Sequence, residues 1–173
     1  MEKYGLPYMG SKNAIADKLI ALLPSGNRFV DLFGGGAAMS HCALLSGKYE
    51  TVLYNEINPL LPKLIKDAID GKYAYENFVP EFITRERFFA EKEKDGYIKY
   101  IWSFGNYGRT YLFGRKIEKQ KEAIHNAVVF GNAKETITID GTDLYIEGTT
   151  IKQRRLFVAD QCRKKGKEKF IYL

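Results

Sequence analysis

Along residues 1–75 the hydrophobic and polar positions switch between two periods. Ile15, Leu19, Leu22 and Leu23 recur at helical spacing, with Lys12 and Lys18 among the polar positions, and Pro24 with Gly26 closes the pattern. A short β-rich run follows, Arg28-Phe29-Val30-Asp31-Leu32-Phe33, and stops at Gly34-Gly35-Gly36. Residues 37–45 read as a second helix with Gly47 as its stop, and Glu50-Thr51-Val52-Leu53-Tyr54-Asn55 as a second strand. Leu61, Leu64, Ile65, Ala68 and Ile69 then follow i, i+3, i+4, i+7, i+8, with Pro59 and Pro62 near the start and Gly71 beyond the end. Strand, glycine turn, helix, strand and helix, in that order, open a parallel, doubly wound α/β sheet.

After residue 75 the pattern changes. Residues 78–95 and 117–130 read as helices, separated by the aromatic- and glycine-rich stretch 102–114. Residues 136–146 read as a hairpin with its turn near Asp140-Gly141. The chain shows no internal repeat and no low-complexity linker. This divides it into residues 1–76, the first part of an α/β domain, and residues 77–173, a mostly helical subdomain carrying a small β-hairpin.

Composition narrows the class. With 173 residues, 45% hydrophobic and 28% charged, the chain sits in the soluble globular range. No apolar run approaches the roughly 18 residues that span a bilayer, and Asp17 with Lys18 interrupts the one stretch resembling a signal peptide. Cys42 and Cys162 are too few for a disulfide scaffold and too far apart for a CxxC pair. With His41 and His125 the only histidines, no metal site is expected. The expectation is a cytoplasmic, monomeric protein without metal or membrane partner. The net charge of +6 is not spread evenly: residues 152–173 hold eight basic against two acidic side chains, and the remainder is balanced. Such a block fits either a phosphate footprint or a solvated helix face.

Two features carry candidate chemistry. Three consecutive glycines after a strand allow close backbone approach to a ligand, at the sheet end where such folds bind. The dinucleotide fingerprint G-x-G-x-x-G fails, because Met39 stands where its third glycine belongs. A tight strand-to-helix connection explains the same glycines without a ligand. Glu56, 22 positions after Gly34 and at the tip of the next strand, can accept both ribose hydroxyls of an adenosyl group. It can equally cap the helix starting near Pro59, a role open to Asn58 as well.

Three segments in order, Pro7-Tyr8-Met9-Gly10-Ser11-Lys12, Val30-Asp31-Leu32-Phe33-Gly34-Gly35-Gly36 and Asn55-Glu56-Ile57-Asn58-Pro59, resemble motifs of the Dam-like DNA adenine methyltransferases. A fourth, Trp102 to Gly114, resembles the stretch opening that family's DNA-recognition region. The resemblance implies a Rossmann-like methyltransferase sheet, S-adenosylmethionine as cofactor and double-stranded DNA as partner. It implies that Tyr8 packs on the adenine or methionine end of the cofactor and that Lys12 lies near its carboxylate. Asp31 would orient the methionine amino group, Phe33, Gly34 and Gly36 would line the cleft, Glu56 would hold the ribose, and Ile57 would face the adenine. On the DNA side, Asn106, Tyr107, Arg109 and Tyr111 combine amide, aromatic and guanidinium groups suited to base edges and stacking. Lys152, Arg154 and Arg155 are candidate phosphate contacts, with a solvated helix face as the equal alternative.

The family's catalytic segment is Asp/Asn-Pro-Pro followed by an aromatic residue. It orients the amino group of an adenine flipped from the duplex toward the methyl donor. The prolines here are Pro7, Pro24, Pro59, Pro62 and Pro80, none adjacent to another, and Asn58-Pro59 is followed by Leu60 and Leu61. No catalytic residue is therefore assigned. Together with the apolar end Phe170-Ile171-Tyr172-Leu173, this leads to the expectation of an inactive N-terminal piece or a degenerate relative of a site-specific adenine methyltransferase, such as those of restriction–modification. The rival expectations are a non-catalytic DNA-binding or regulatory module keeping the cofactor cleft, and a nucleotide-dependent oxidoreductase.

Overall fold

The computed structural model describes residues 4–74, 76–131 and 135–171, so Tyr172 and Leu173 of the apolar end lie outside it. The chain divides into two compact units. One runs from the N-terminus to Lys72 and resumes over Ile83–Leu112; the other comprises Tyr73–Phe82 and everything from Phe113 onward. The first unit thus takes in the stretch 83–112, beyond the 76/77 division drawn on sequence.

The first unit opens with a 3-10 turn, Asn13–Ile15, leading into helix α1, Ala16–Leu22. Strand β1, Gly26–Asp31, passes through helix α2, Ala38–Leu45, into strand β2, Tyr49–Tyr54. The two strands pair in parallel, with Phe29 opposite Val52, Val30 opposite Leu53 and Asp31 opposite Tyr54. Alternation along the strands sends Phe29 and Val52 to one face, where they pack on a core of Tyr4, Ala16, Ile20, Ala38, Cys42 and Ala43. The opposite face carries Val30 and Leu53, each 47% exposed. Here the periodicity misled. The stripe Ile15, Leu19, Leu22 and Leu23 is the more exposed side of α1, with Leu22 82% exposed, and burial falls on Ala16 and Ile20. Close helix–helix approach favours the smaller side chain at the contact, which a search for large apolar residues passes over.

Helix α3, Leu60–Ile69, buries Leu61 and Leu64 and is followed by α4, Arg85–Glu91, and a single π-helical turn, Tyr97–Ile101. The helix expected over 78–95 is therefore corrected to a seven-residue helix. Pro80 supplies no N–H, and the Thr84 side chain accepts from the Arg87 amide to start α4 afresh.

In the second unit a 3-10 turn, Arg115–Ile117, feeds α5, Glu118–Val129. Strands β3, Glu135–Ile139, and β4, Thr142–Ile146, form the expected antiparallel hairpin. Its two-residue loop sets Asp140 at φ 51° and Gly141 at φ 68°, the left-handed pair that a tight hairpin requires. Helix α6, Ile151–Lys164, starts with a capping box in which Thr150 and Gln153 each satisfy the other's amide. Ile124, Val128, Ile139, Leu144, Ile146, Val158, Cys162 and Phe170 form the core of this unit. No helix among the described residues is long and apolar enough to cross a membrane, and none of their acidic, His or Cys side chains gather into a metal-sized cluster.

Candidate functional site

Parallel pairing brings the C-terminal ends of β1 and β2 side by side, so the glycine turn and Glu56 meet. Glu56 Oε2 accepts from the Gly35 amide at 2.9 Å, and Oε1 accepts from the Asn58 amide at 3.0 Å. Asn58 in turn accepts from the Leu60 amide through Oδ1 at 3.1 Å. The acid at the strand tip therefore ties the glycine turn to the segment entering α3; the N-cap of that helix is Pro59, so Glu56 does not cap it, while Asn58 accepts from its first amide.

The glycines are required by protein side chains. A Cβ on Gly34 would lie 2.1 Å from the Tyr54 ring, and one on Gly35 would lie 2.8 Å from the Tyr8 ring. A Cβ on Gly36 would meet both Leu6 O and the Tyr8 Cβ at 2.7 Å. Tyr54 donates its hydroxyl to Gly35 O at 2.6 Å and so locks the turn from the strand side. Asp31 accepts from the Ser40 hydroxyl at 2.7 Å, which links the end of β1 to α2. Lys12 is exposed and donates to Gly10 O at 3.1 Å. Phe33, at 91% exposure, and Ile57, at 96%, project from the two strand tips almost uncovered.

Around Glu56 stand three phenols. Burial first raises the pKa of Tyr8, Tyr54 and Tyr100, that of Tyr100 to about 12; the next cause is the neighbouring Tyr107 for Tyr8 and the Glu56 charge for Tyr54 and Tyr100. All three hydroxyls thus stay protonated at neutral pH. Tyr54 and Tyr100 were not among the sequence candidates for the site. Strand alternation from Asp31 could have found Tyr54, since the two residues are register partners. Tyr100 carried no such signal, because it lies in a π-turn with no strand or helix period to place it.

The stretch 102–114 separates into exposed and buried members. Arg109 is exposed, with its guanidinium 5.7 Å from the centre of the Tyr107 ring. Asn106 and Tyr107 are half-buried, and the Asn106 amide donates to the Thr110 hydroxyl at 2.9 Å. Tyr111 is corrected from the candidate base contacts: it is 6% exposed, stacks with Trp102 and donates to Ile83 O at 2.5 Å. In the second unit, Lys152 is exposed and Arg155 half-buried on α6. Arg154 is corrected likewise. It is buried, and its guanidinium donates to Val128 O and Val129 O at the end of α5 and to Gly148 O and Thr149 O before α6, which leaves no fork for a phosphate.

The family model of the D12 class N6 adenine-specific DNA methyltransferases matches residues 8–159. No curated protein and no solved structure matches the chain significantly. The matched span contains the glycine turn, Glu56, the 102–114 stretch and the hairpin, and so covers both the site and the greater part of each unit. The chain belongs to the D12 class N6 adenine-specific DNA methyltransferases.

Proposed function

We propose that the first unit is the S-adenosylmethionine-binding part of a Rossmann-like adenine methyltransferase, and that this chain alone binds cofactor and DNA without completing methyl transfer. The observation that carries the reading is the carboxylate of Glu56 fixed beside the glycine turn, with Phe33 and Ile57 uncovered just beyond the two strands. Each Glu56 oxygen accepts one main-chain amide and retains a lone pair for a ribose hydroxyl. The apolar faces of Phe33 and Ile57 suit an adenine ring. Two carboxylates and the aromatic face of Tyr8 suit a sulfonium cation better than a phosphate. Asp31, steadied by Ser40, would take the methionine amino group, and the exposed Lys12 its carboxylate. Gly34 and Gly36 act by letting Tyr54 and Tyr8 close on the turn. The cofactor, when bound, supplies an electrophilic methyl group. The residues named here hold and orient it and shield it from water.

On the DNA side, Asn106 and Arg109 of the 102–114 stretch in the first unit, and independently Lys152 and Arg155 of α6 in the second, are the candidate duplex contacts. Nothing in the 173 residues supplies the adjacent prolines of the segment that orients the adenine amino group. That absence favours the second reading, a binding or regulatory module, for the chain by itself. Calorimetry with S-adenosylmethionine, S-adenosylhomocysteine and NAD tests the cofactor assignment. Adenosyl compounds should bind and NAD should not, and Glu56→Ala should weaken S-adenosylhomocysteine roughly tenfold or more through its lost hydrogen bonds. Binding of NAD alone, or an unchanged Glu56→Ala affinity, would overturn it. Incubation with labelled S-adenosylmethionine and adenine-containing duplex should leave the DNA unlabelled, and labelled DNA would sink the proposal of incomplete chemistry.

A further inference from the structure

Two segments that the sequence assigns to different ligands are joined in the first unit. The Met9 amide donates to Gly105 O at 3.1 Å, and the Tyr107 hydroxyl donates back to Met9 O at 3.0 Å. Both main-chain groups of Met9, in the cofactor segment, are thereby held by the loop expected to face DNA. The Tyr107 ring stands edge-on to Tyr8, with centroids 4.7 Å apart and planes at 85°. Close approach is built in, since a Cβ on Gly105, at φ 72°, would fall 2.3 Å from Pro7 O.

The loop is braced from behind and conformationally loaded. Lys92 donates to Gly108 O at 2.6 Å, the Gly108 amide donates to Ser103 Oγ at 3.2 Å, and the Gly105 amide donates to Tyr100 O at 2.6 Å. Phe104 at φ 52° and Tyr107 at φ 50° both adopt the left-handed conformation that non-glycine residues enter only under constraint. Tyr8 lies between this loop and the cleft: on its other side it meets Tyr100 at 5.9 Å, whose hydroxyl accepts from Asn58, the residue bonded to Glu56. A cavity of about 240 Å³ remains where the segments meet, lined by Pro7, Tyr8, Met9, Phe104, Gly105 and Asn106.

We propose that Tyr107 is a positioning residue for the cofactor segment, and that through it occupancy of the adenosyl cleft orders the loop over residues 103–109. The inference rests on the cofactor reading above and adds a role for a side chain assigned on sequence to DNA. A ligand seated against Tyr8 fixes a ring that packs on Tyr107. Tyr107 holds Met9, and Met9 holds Gly105. Ordering one segment removes part of the entropy cost of ordering the other, so the effect runs in both directions.

Amide hydrogen exchange on the whole chain, with and without S-adenosylhomocysteine, tests this in the wild type and in Tyr107→Phe, which keeps the ring and removes only the donor. In the wild type the ligand should slow exchange at the glycine turn and also, several-fold, over 103–109. In Tyr107→Phe the response over 103–109 should vanish, the dissociation constant should rise about 3- to 10-fold, and the thermal midpoint should stay within about 2 °C. A purely structural role would shift the midpoint and leave the ligand response intact. If the ligand binds and protects the glycine turn but leaves 103–109 unchanged, or if Tyr107→Phe responds as the wild type does, the coupling is refuted while the cofactor reading stands. Absence of any binding or protection at the glycine turn in the wild type would refute both.

Discussion

The amine of Lys121 sits in the core of the second unit, 3% exposed, donating to Ile171 O at 2.8 Å and lying 5.3 Å from the Phe113 ring centre. Burial lowers its pKa from 10.5 to about 8. Below pH 8 both the folded and the unfolded chain carry this proton, and the cost of burying it is constant. Between about pH 8 and 10.5 the unfolded chain binds more protons than the folded one, so stability should rise with pH across that window, by a gain on the order of 2 kcal/mol. Urea midpoints at pH 7.5, 8.5 and 9.5 measure the slope, which Lys121→Met should abolish; parallel slopes in the two proteins would contradict the assignment. Arg154 shows the same gap between residue type and role. Its type suggested phosphate, but its guanidinium closes two helix-end carbonyls and two from the turn before α6. Arg154→Met should therefore cost about 2–4 kcal/mol in urea unfolding through four carbonyls losing their donor. The place of Glu56 beside the glycine turn was legible because a strand tip and a spacing define it. Lys121 and Arg154 were not, because burial of a long charged side chain depends on packing partners distant in sequence.

Elements with a local signature were read closely: the hairpin turn, α5 and the two parallel strands all lie within two residues of their expected bounds. In each case turn chemistry or strand period and burial point the same way. The short α4 and the π-turn were not, since their apolar residues pack against the glycine-rich loop and leave no clean period. One local device was invisible beforehand. The Gln161 amide on α6 donates to Tyr145 O at 2.6 Å and accepts from the Tyr145 amide at 2.9 Å, filling the open edge of β4 as a neighbouring strand would. An uncovered edge invites pairing between molecules. Gln161→Leu should cost about 1 kcal/mol and make the protein self-associate as concentration rises. Chemical denaturation and light scattering measure the two effects, and a variant that stays monodisperse would show that the amide does not guard the edge. The matching helix-start test is Thr150→Ala, which removes one half of the capping box and should cost about 1 kcal/mol, with Thr150→Ser restoring most of it.

The net charge of +6 arises from the final 22 residues, yet folding spends much of that block internally. Lys167 and Lys169 pair with Asp140 at the hairpin turn, Lys164 pairs with Asp160, and Arg154 is buried. Lys165 donates to Asp143 O, again toward the hairpin. Counting basic residues therefore overstates the charge this region can turn toward phosphates, and on α6 the basic side chains outside these contacts are the exposed Lys152 and Arg163 and the half-buried Arg155. Each phosphate neutralised by a protein cation releases counterion and adds roughly 0.9 to the slope of log affinity against log salt. If α6 faces DNA, Lys152→Ala with Arg155→Ala should reduce that slope by about 2 and weaken binding uniformly across sequences. Arg154→Met, compared at a denaturant-free temperature where it stays folded, should leave the slope unchanged, because its guanidinium is already committed to carbonyls. Fluorescence anisotropy with a labelled duplex between 50 and 200 mM salt separates the cases. An unchanged slope in the double variant assigns the α6 face to solvent. A slope lost equally in Arg154→Met would mean that the packing of α6 against α5 and the hairpin, and not its exposed charge, is what DNA binding requires.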